Sequence, residues 1–244
     1  MTLKRSLSVV LPLVAVAAIV VSPVAQSKLP AQSPVNVVPE AIQIDPTHPK
    51  LDVTYGHSEL ELEYKRKDDT KPDGCQVRDH EETEEAKVKP GSGFVTAAGV
   101  RYDLDQFHFH TPAEHRFAGR QYPLEMHLVH RSAAGKLLVV GVPLRAGEHS
   151  VVDTVLAKLA PECGQSVHIP SVNLNSLLPH NKHTLHYQGS LTTHPFTEGV
   201  QWYLAGEKTV SQATLSRFQG LFSHGNSRAV QPLNGRHFTE VGLI

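Results

Sequence analysis

The sequence predicts a mainly β fold: a single domain built on a large, mostly antiparallel twisted sheet, with short helices at its periphery. Apolar and polar residues alternate strictly in runs such as Leu60-Glu61-Leu62-Glu63-Tyr64 and Phe107-His108-Phe109-His110, the period of two that a half-buried strand requires. The 17 Pro and 17 Gly among 244 residues cut the chain into short pieces, which suits many strands and few long helices. No internal repeat appears and nothing marks a second domain.

In chain order, Met1 to about Ser27 stands apart: Lys4 and Arg5, then the apolar run Leu7 to Val21, then small residues ending Ala25-Gln26-Ser27. Basic, apolar and cleavable regions in that order describe a secretory signal peptide over residues 1–27. An uncleaved anchor is the alternative, with an apolar run near the lower limit for spanning a bilayer. Either way residues 28–244 are expected to be exported, to the periplasm or the medium, and nothing later is apolar enough to cross a membrane.

Lys28 to Asp45 is a Pro-punctuated lead-in, after which Leu51–Tyr55 and Leu60–Tyr64 alternate as strands. Lys65 to Lys89 is polar and carries Glu81, Glu82, Glu84 and Glu85; it reads as a solvated loop or edge hairpin. Phe94–Val100, Tyr102–His110, Leu124–Arg131 and Lys136–Leu144 read as strands between turn residues. Thr154–Leu159 and Ser211–Phe222 have helical spacing. Leu185–Leu191, Trp202–Leu204 and the region after Gln231 supply further strands.

Lys+Arg 23 against Asp+Glu 24 gives a net charge of −1, so no global field draws the protein to nucleic acid or anionic lipid. The expected partner is a small molecule. Cys75 and Cys163 are the only cysteines; an oxidising compartment permits one bridge between them, and two free thiols are the alternative.

The most informative stretch is Gln106-Phe107-His108-Phe109-His110 with Glu125-Met126-His127. Alternation puts His108 and His110 on one face of a strand and Phe107 and Phe109 on the other. Glu125, His127 and Val129 share a face of the next apolar run, so an antiparallel neighbour delivers a third imidazole. Three neutral ring nitrogens suit zinc with one open position. A lone strand His is more often a hydrogen-bonded residue than a ligand. Here Gln106 and Glu125 sit two positions away on the same faces, as partners for the other ring N–H of a metal-bound His would.

From Gln32-Ser33-Pro34 to Gln231-Pro232-Leu233-Asn234-Gly235-Arg236 the chain resembles the α-class carbonic anhydrases, most of all the exported bacterial members. The motifs are Gln106 to Pro112, Glu114-His115, Tyr122 to His130 and Gly189-Ser190-Leu191-Thr192-Thr193. The resemblance implies a zinc lyase that reversibly hydrates carbon dioxide to bicarbonate and a proton by attack of zinc-bound hydroxide. It implies Zn2+ on His108, His110 and His127, with Gln106, Glu125 and the backbone carbonyl of Asn226 orienting them. It makes Thr192 and Glu114 the pair that aims the hydroxide, and Val129, Val139, Leu191, Thr193, Val200 and Trp202 the substrate pocket. Carbon dioxide, water and bicarbonate are the implied partners.

The match has gaps. The Trp- and Tyr-rich segment usual before Gln-Ser-Pro is missing, Phe196 stands where bacterial members often carry a Cys, and His194 replaces a proline. X-Pro geometry still permits a cis His194-Pro195 peptide. Where fast members place a proton-carrying His, the chain has Thr83 flanked by Glu82 and Glu84, with His80 as a weak candidate, so turnover limited by proton transfer and rescued by buffer is expected. A catalytically weak zinc-binding module for a ligand or surface is the alternative function. A different zinc hydrolase on the same imidazoles is a further one, although no HExxH is present.

Overall fold

A period of two decides how this protein is layered. Phe107, Phe109, Met126, Leu128, Val140 and Val142 are all buried in one large apolar cluster, whereas Val129, Val139, Val200 and Trp202, of opposite parity, belong to a second. The first is the main core. The second lies on the other face of the same strands, beside the histidines. The computed structural model describes residues 29–67, 81–181 and 183–243; the expected signal peptide, Cys75 and His80 lie outside the described residues.

The strands are β1 (Asn36–Val37), β2 (Ile42–Gln43), β3 (Leu51–Tyr55), β4 (His57–Lys65), β5 (Thr83–Val88), β6 (Gly93–Ala97), β7 (Val100–His110) and β8 (Arg116–Phe117). After them come β9 (Arg120–Gln121), β10 (Leu124–Ser132), β11 (Leu137–Ala146), β12 (Val167–Asn173), β13 (His183–Ser190), β14 (Glu198–Ala205), β15 (Lys208–Val210) and β16 (Phe238–Gly242). Among the described residues, 13 strands form one sheet whose main path runs β12-β4-β5-β7-β10-β11-β14-β13-β16-β2. Most pairs are antiparallel, as expected, but β11 runs parallel to β14 and β15, and β16 runs parallel to β2.

Two expectations need correction. Lys65 to Lys89 is not all loop or edge, because β5 is an interior strand paired to β4 on one side and β7 on the other. Its acids are accommodated by specific donors: the Tyr64 hydroxyl donates to Glu82 at 2.8 Å and the Ala160 N–H to Glu84 at 3.1 Å. The helix expected over Thr154–Leu159 lies earlier, as α1 (Val151–Val155). Ser150 and Asp153 form a capping box that fixes its start. Asp153 also accepts from the Ser211 N–H and the Thr214 hydroxyl, tying α1 to the start of α2 (Gln212–Leu221), which falls where helical spacing put it.

Candidate metal centre

Register brings the site together. On one face of the sheet, Glu85, His108, His127, Gly141 and Leu204 form a row across β5, β7, β10, β11 and β14. Lys87, Gln106, Val129, Val139 and Trp202 form the next row, and Glu125 stands opposite His110. One ring nitrogen from each of His108, His110 and His127 lies within 4.8 Å of the others.

Each ring is held by its other nitrogen. His108 Nδ1 donates to Gln106 Oε1 at 2.9 Å, His110 Nδ1 to the Asn226 carbonyl at 2.8 Å, and His127 Nε2 to Glu125 Oε1 at 2.9 Å. A carbonyl or carboxylate can only accept, so the proton sits on that nitrogen and the lone pair is on the one facing the centre. Asn226 is fixed in turn: its side chain accepts from Thr111 N–H at 2.6 Å and donates to the Glu82 and Phe109 carbonyls. Gln106, Asn226 and Glu125 thus lie in hydrogen-bond contact with His108, His110 and His127 respectively.

The electrostatics keep these rings neutral. Burial lowers the pKa of all three; for His108 the neighbouring His110 and His127 add to the effect and take it well below the ordinary imidazole range. Burial would raise Glu125, but its interactions with His115 and His127, hydrogen bonds included, outweigh it and hold this carboxyl well below the usual range. Glu114 goes the other way: burial pushes it up to about 6, against the opposing pull of His127 and the Arg228 N–H.

The arrangement fits a divalent ion. His110 Nε2 is buried and, among the described residues, has no hydrogen-bond partner, an arrangement that costs stability unless something fills it. Tetrahedral zinc with Zn–N bonds of about 2.0–2.1 Å requires nitrogens roughly 3.3 Å apart, and three nitrogens within 4.8 Å of one another are compatible with that.

Glu114 Oε1 accepts from the Arg228 N–H at 2.8 Å, while Oε2 is buried, has no hydrogen-bond partner among the described residues and lies 3.9 Å from His127 Nδ1. The Thr192 hydroxyl is near enough to depress the titration of Glu114, yet the expected hydrogen bond between them is not closed. Val129, Val139, Val200 and Trp202 pack in one apolar cluster with Leu191 partly buried against it. Thr193 lines a cleft of about 390 Å³ with Gln106, His108 and His110.

Sequence reasoning gave no role to a chain of buried groups behind His127. Glu125 also accepts from His115, through Nδ1 at 2.7 Å and through the backbone N–H at 2.8 Å. His115 Nε2 is 2.7 Å from the Tyr187 hydroxyl, which is 2.8 Å from Ser33 Oγ. With Nδ1 protonated, Nε2 accepts from Tyr187, Tyr187 accepts from Ser33, and Ser33 accepts from the Ser190 N–H at 3.1 Å. The motifs Gln32-Ser33-Pro34 and Glu114-His115 were the available signals. His194-Pro195 is cis, and Cys163 is disulfide-bonded.

One β sheet brings together three imidazoles that could hold a metal ion. The family model for eukaryotic-type carbonic anhydrases matches residues 22–241, and the chain belongs to that family. The carbonic anhydrase of Klebsiella pneumoniae is 41% identical over 145 residues, an alignment spanning 58% of this chain and 59% of the relative; this chain thus spans about three fifths of the curated relative it matches. The α-carbonic anhydrase of Thermovibrio ammonificans, solved with sulfanilamide, superposes with a TM-score of 0.74 at 30% identity, covering 86% of each chain. That of Photobacterium profundum gives 0.73 at 32% identity, covering 87% of this chain and 90% of its own.

Proposed function

We propose that the protein is a zinc-dependent enzyme for the reversible hydration of carbon dioxide to bicarbonate and a proton. The observation that carries this reading is the convergence of His108, His110 and His127, each with its outer nitrogen already committed to Gln106, Asn226 or Glu125. Zinc would be held through His108 Nε2, His110 Nε2 and His127 Nδ1. When bound, it supplies the Lewis acidity that makes water a nucleophile near neutral pH.

The remaining steps belong to the chain. Ionised Glu114 only accepts, so once the Thr192 hydroxyl donates to it, Thr192 has only lone pairs to offer the reacting water. Thr192 then holds that water by its O–H and leaves an oxygen lone pair free to point at carbon dioxide. Val129, Val139, Leu191, Val200 and Trp202 offer the uncharged substrate an apolar rest that holds no water against it, and Thr193 supplies a hydroxyl on the cleft side. Residues 28–244 form the catalytic domain in this reading, with residues 1–27 an export signal leading to the periplasm or medium. Amino-terminal sequencing of protein recovered outside the cytoplasm tests that part.

The decisive experiment is stopped-flow carbon dioxide hydration before and after chelation, with bound metal measured in parallel. His127→Ala should lose metal and activity together, whereas Thr192→Ala should keep the metal and lose rate. Protein that carries zinc and hydrates carbon dioxide no faster than buffer refutes the enzymatic reading.

A further inference from the structure

We propose that His194 carries the proton of the reaction between the cleft and solvent, an inference that rests on the hydration activity proposed above. Each hydration releases one proton, which a base must take before the next turnover. Among the described residues, the cleft is lined by Lys65, Arg66, Lys67, Glu81, Thr83, Glu85, Gln106, His108, His110, Thr193 and His194. Imidazole is the side chain whose ordinary pKa suits exchange near neutrality, and His108 and His110 are committed to the centre. Lys65, Arg66 and Lys67 have no acceptor when charged. Glu81 is engaged by Lys67 Nζ at 3.4 Å and by the His194 backbone N–H at 3.3 Å. Glu85 stands opposite His108 on the neighbouring strand.

Among the described residues that line the cleft, His194 is the remaining imidazole, and its side chain is exposed, so one ring can meet both cleft water and bulk buffer. It sits on a firm mount. Phe196 N–H donates to the Thr193 carbonyl at 2.8 Å, closing a turn around His194, and Leu191 N–H donates to Thr197 at 2.9 Å. The His194 ring meets Phe196 edge-on with centroids 6.0 Å apart, and the Arg228 guanidinium covers Phe196 at 3.8 Å. The cleft volume of about 390 Å³ accommodates on the order of ten waters at ~30 Å³ each, enough to link the ring to the centre.

The step balances without a redox partner. A ring nitrogen lone pair of His194 takes a proton from the adjoining water, which takes one from the next, and so on to the water undergoing reaction. The imidazolium then passes its proton to a buffer base outside and returns to neutral.

The test is His194→Ala, with metal content, steady-state kinetics and the ring's NMR signal all measured. In weak buffer kcat should fall on the order of tenfold, with kcat/KM for carbon dioxide and zinc stoichiometry as in the parent, and added imidazole should restore kcat. By NMR, the ring signal that disappears in His194→Ala should shift in the parent protein when bicarbonate is added. An unchanged kcat in weak buffer, a parallel fall in kcat/KM, or a ring signal that ignores bicarbonate overturns the relay. A parent protein that carries zinc without hydrating carbon dioxide overturns the proposed activity instead, whatever the ring does.

Discussion

His115 and His127 share a single acceptor: Glu125 Oε1 receives His115 Nδ1 at 2.7 Å and His127 Nε2 at 2.9 Å. One oxygen therefore sets the tautomer of a candidate zinc ligand and of a buried histidine that never faces the cleft. Gly141 makes room for it, since a Cβ there would lie 3.1 Å from that oxygen and 3.0 Å from Leu204.

Glu125→Gln should weaken zinc binding by roughly 10- to 100-fold, the usual cost of losing such an orienting group. An amide cannot accept on both arms, so one N–H donor faces another. Competition with a chromophoric chelator measures the affinity, and a value equal to the parent's would show that His127 is oriented some other way.

Tyr187→Phe should destabilise the fold by about 1–3 kcal/mol, because it leaves His115 Nε2 and Ser33 Oγ without their shared partner in a buried setting. Urea denaturation reads this directly. Ser33→Ala, which removes only the far end of the chain, should cost less than Tyr187→Phe.

Gly189→Ala should cost about 1–3 kcal/mol by overpacking. A Cβ at that position would clash with Ser33 Oγ and come within 3.0 Å of both Trp202 and Tyr187, so the amino-terminal segment must shift. Thermal melts of Gly189→Ala and Ser33→Ala, singly and combined, should show strong non-additivity.

Stability should fall on acidification through His130. Burial lowers its pKa to about 4, and its ring is held between the Tyr55 hydroxyl at 2.6 Å and the Leu138 carbonyl at 3.2 Å. Unfolded His titrates near ~6.5, so the unfolded chain binds more protons between the two values. The contribution is fully present above about pH 6.5, is lost as pH drops through 4, and amounts to about 3 kcal/mol in total. Urea midpoints between these pH values should therefore fall more steeply in the parent than in His130→Gln.

The alternating strands and the cluster of three histidines were legible because both are local. Two segments of period two, carrying His108 and His110 on one and His127 on the other, need only pair antiparallel to converge. β5 was not legible, since buried Glu82 and Glu84 are tolerated through Tyr64 and Ala160, partners that a sequence window cannot see. β12 escaped notice because Pro170 interrupts it and its register shifts between Ile169 and Val172. The roles of Ser33, His115 and Tyr187 were hidden for a similar reason: their hydrogen bonds join segments 72 and 154 positions apart.

Two arginines clasp the amino-terminal segment from far along the chain. Arg228 Nη1 donates to the Ser33 carbonyl and Arg236 Nη2 to that of Gln32, across 195 and 204 positions. Bridging such spans is entropically slow. During synthesis the imidazoles emerge long before the arginines that fasten Ser33, and with it the far end of the support for His127. A growing chain halted before Arg228 thus owns His108, His110 and His127 and lacks the clasp on Ser33.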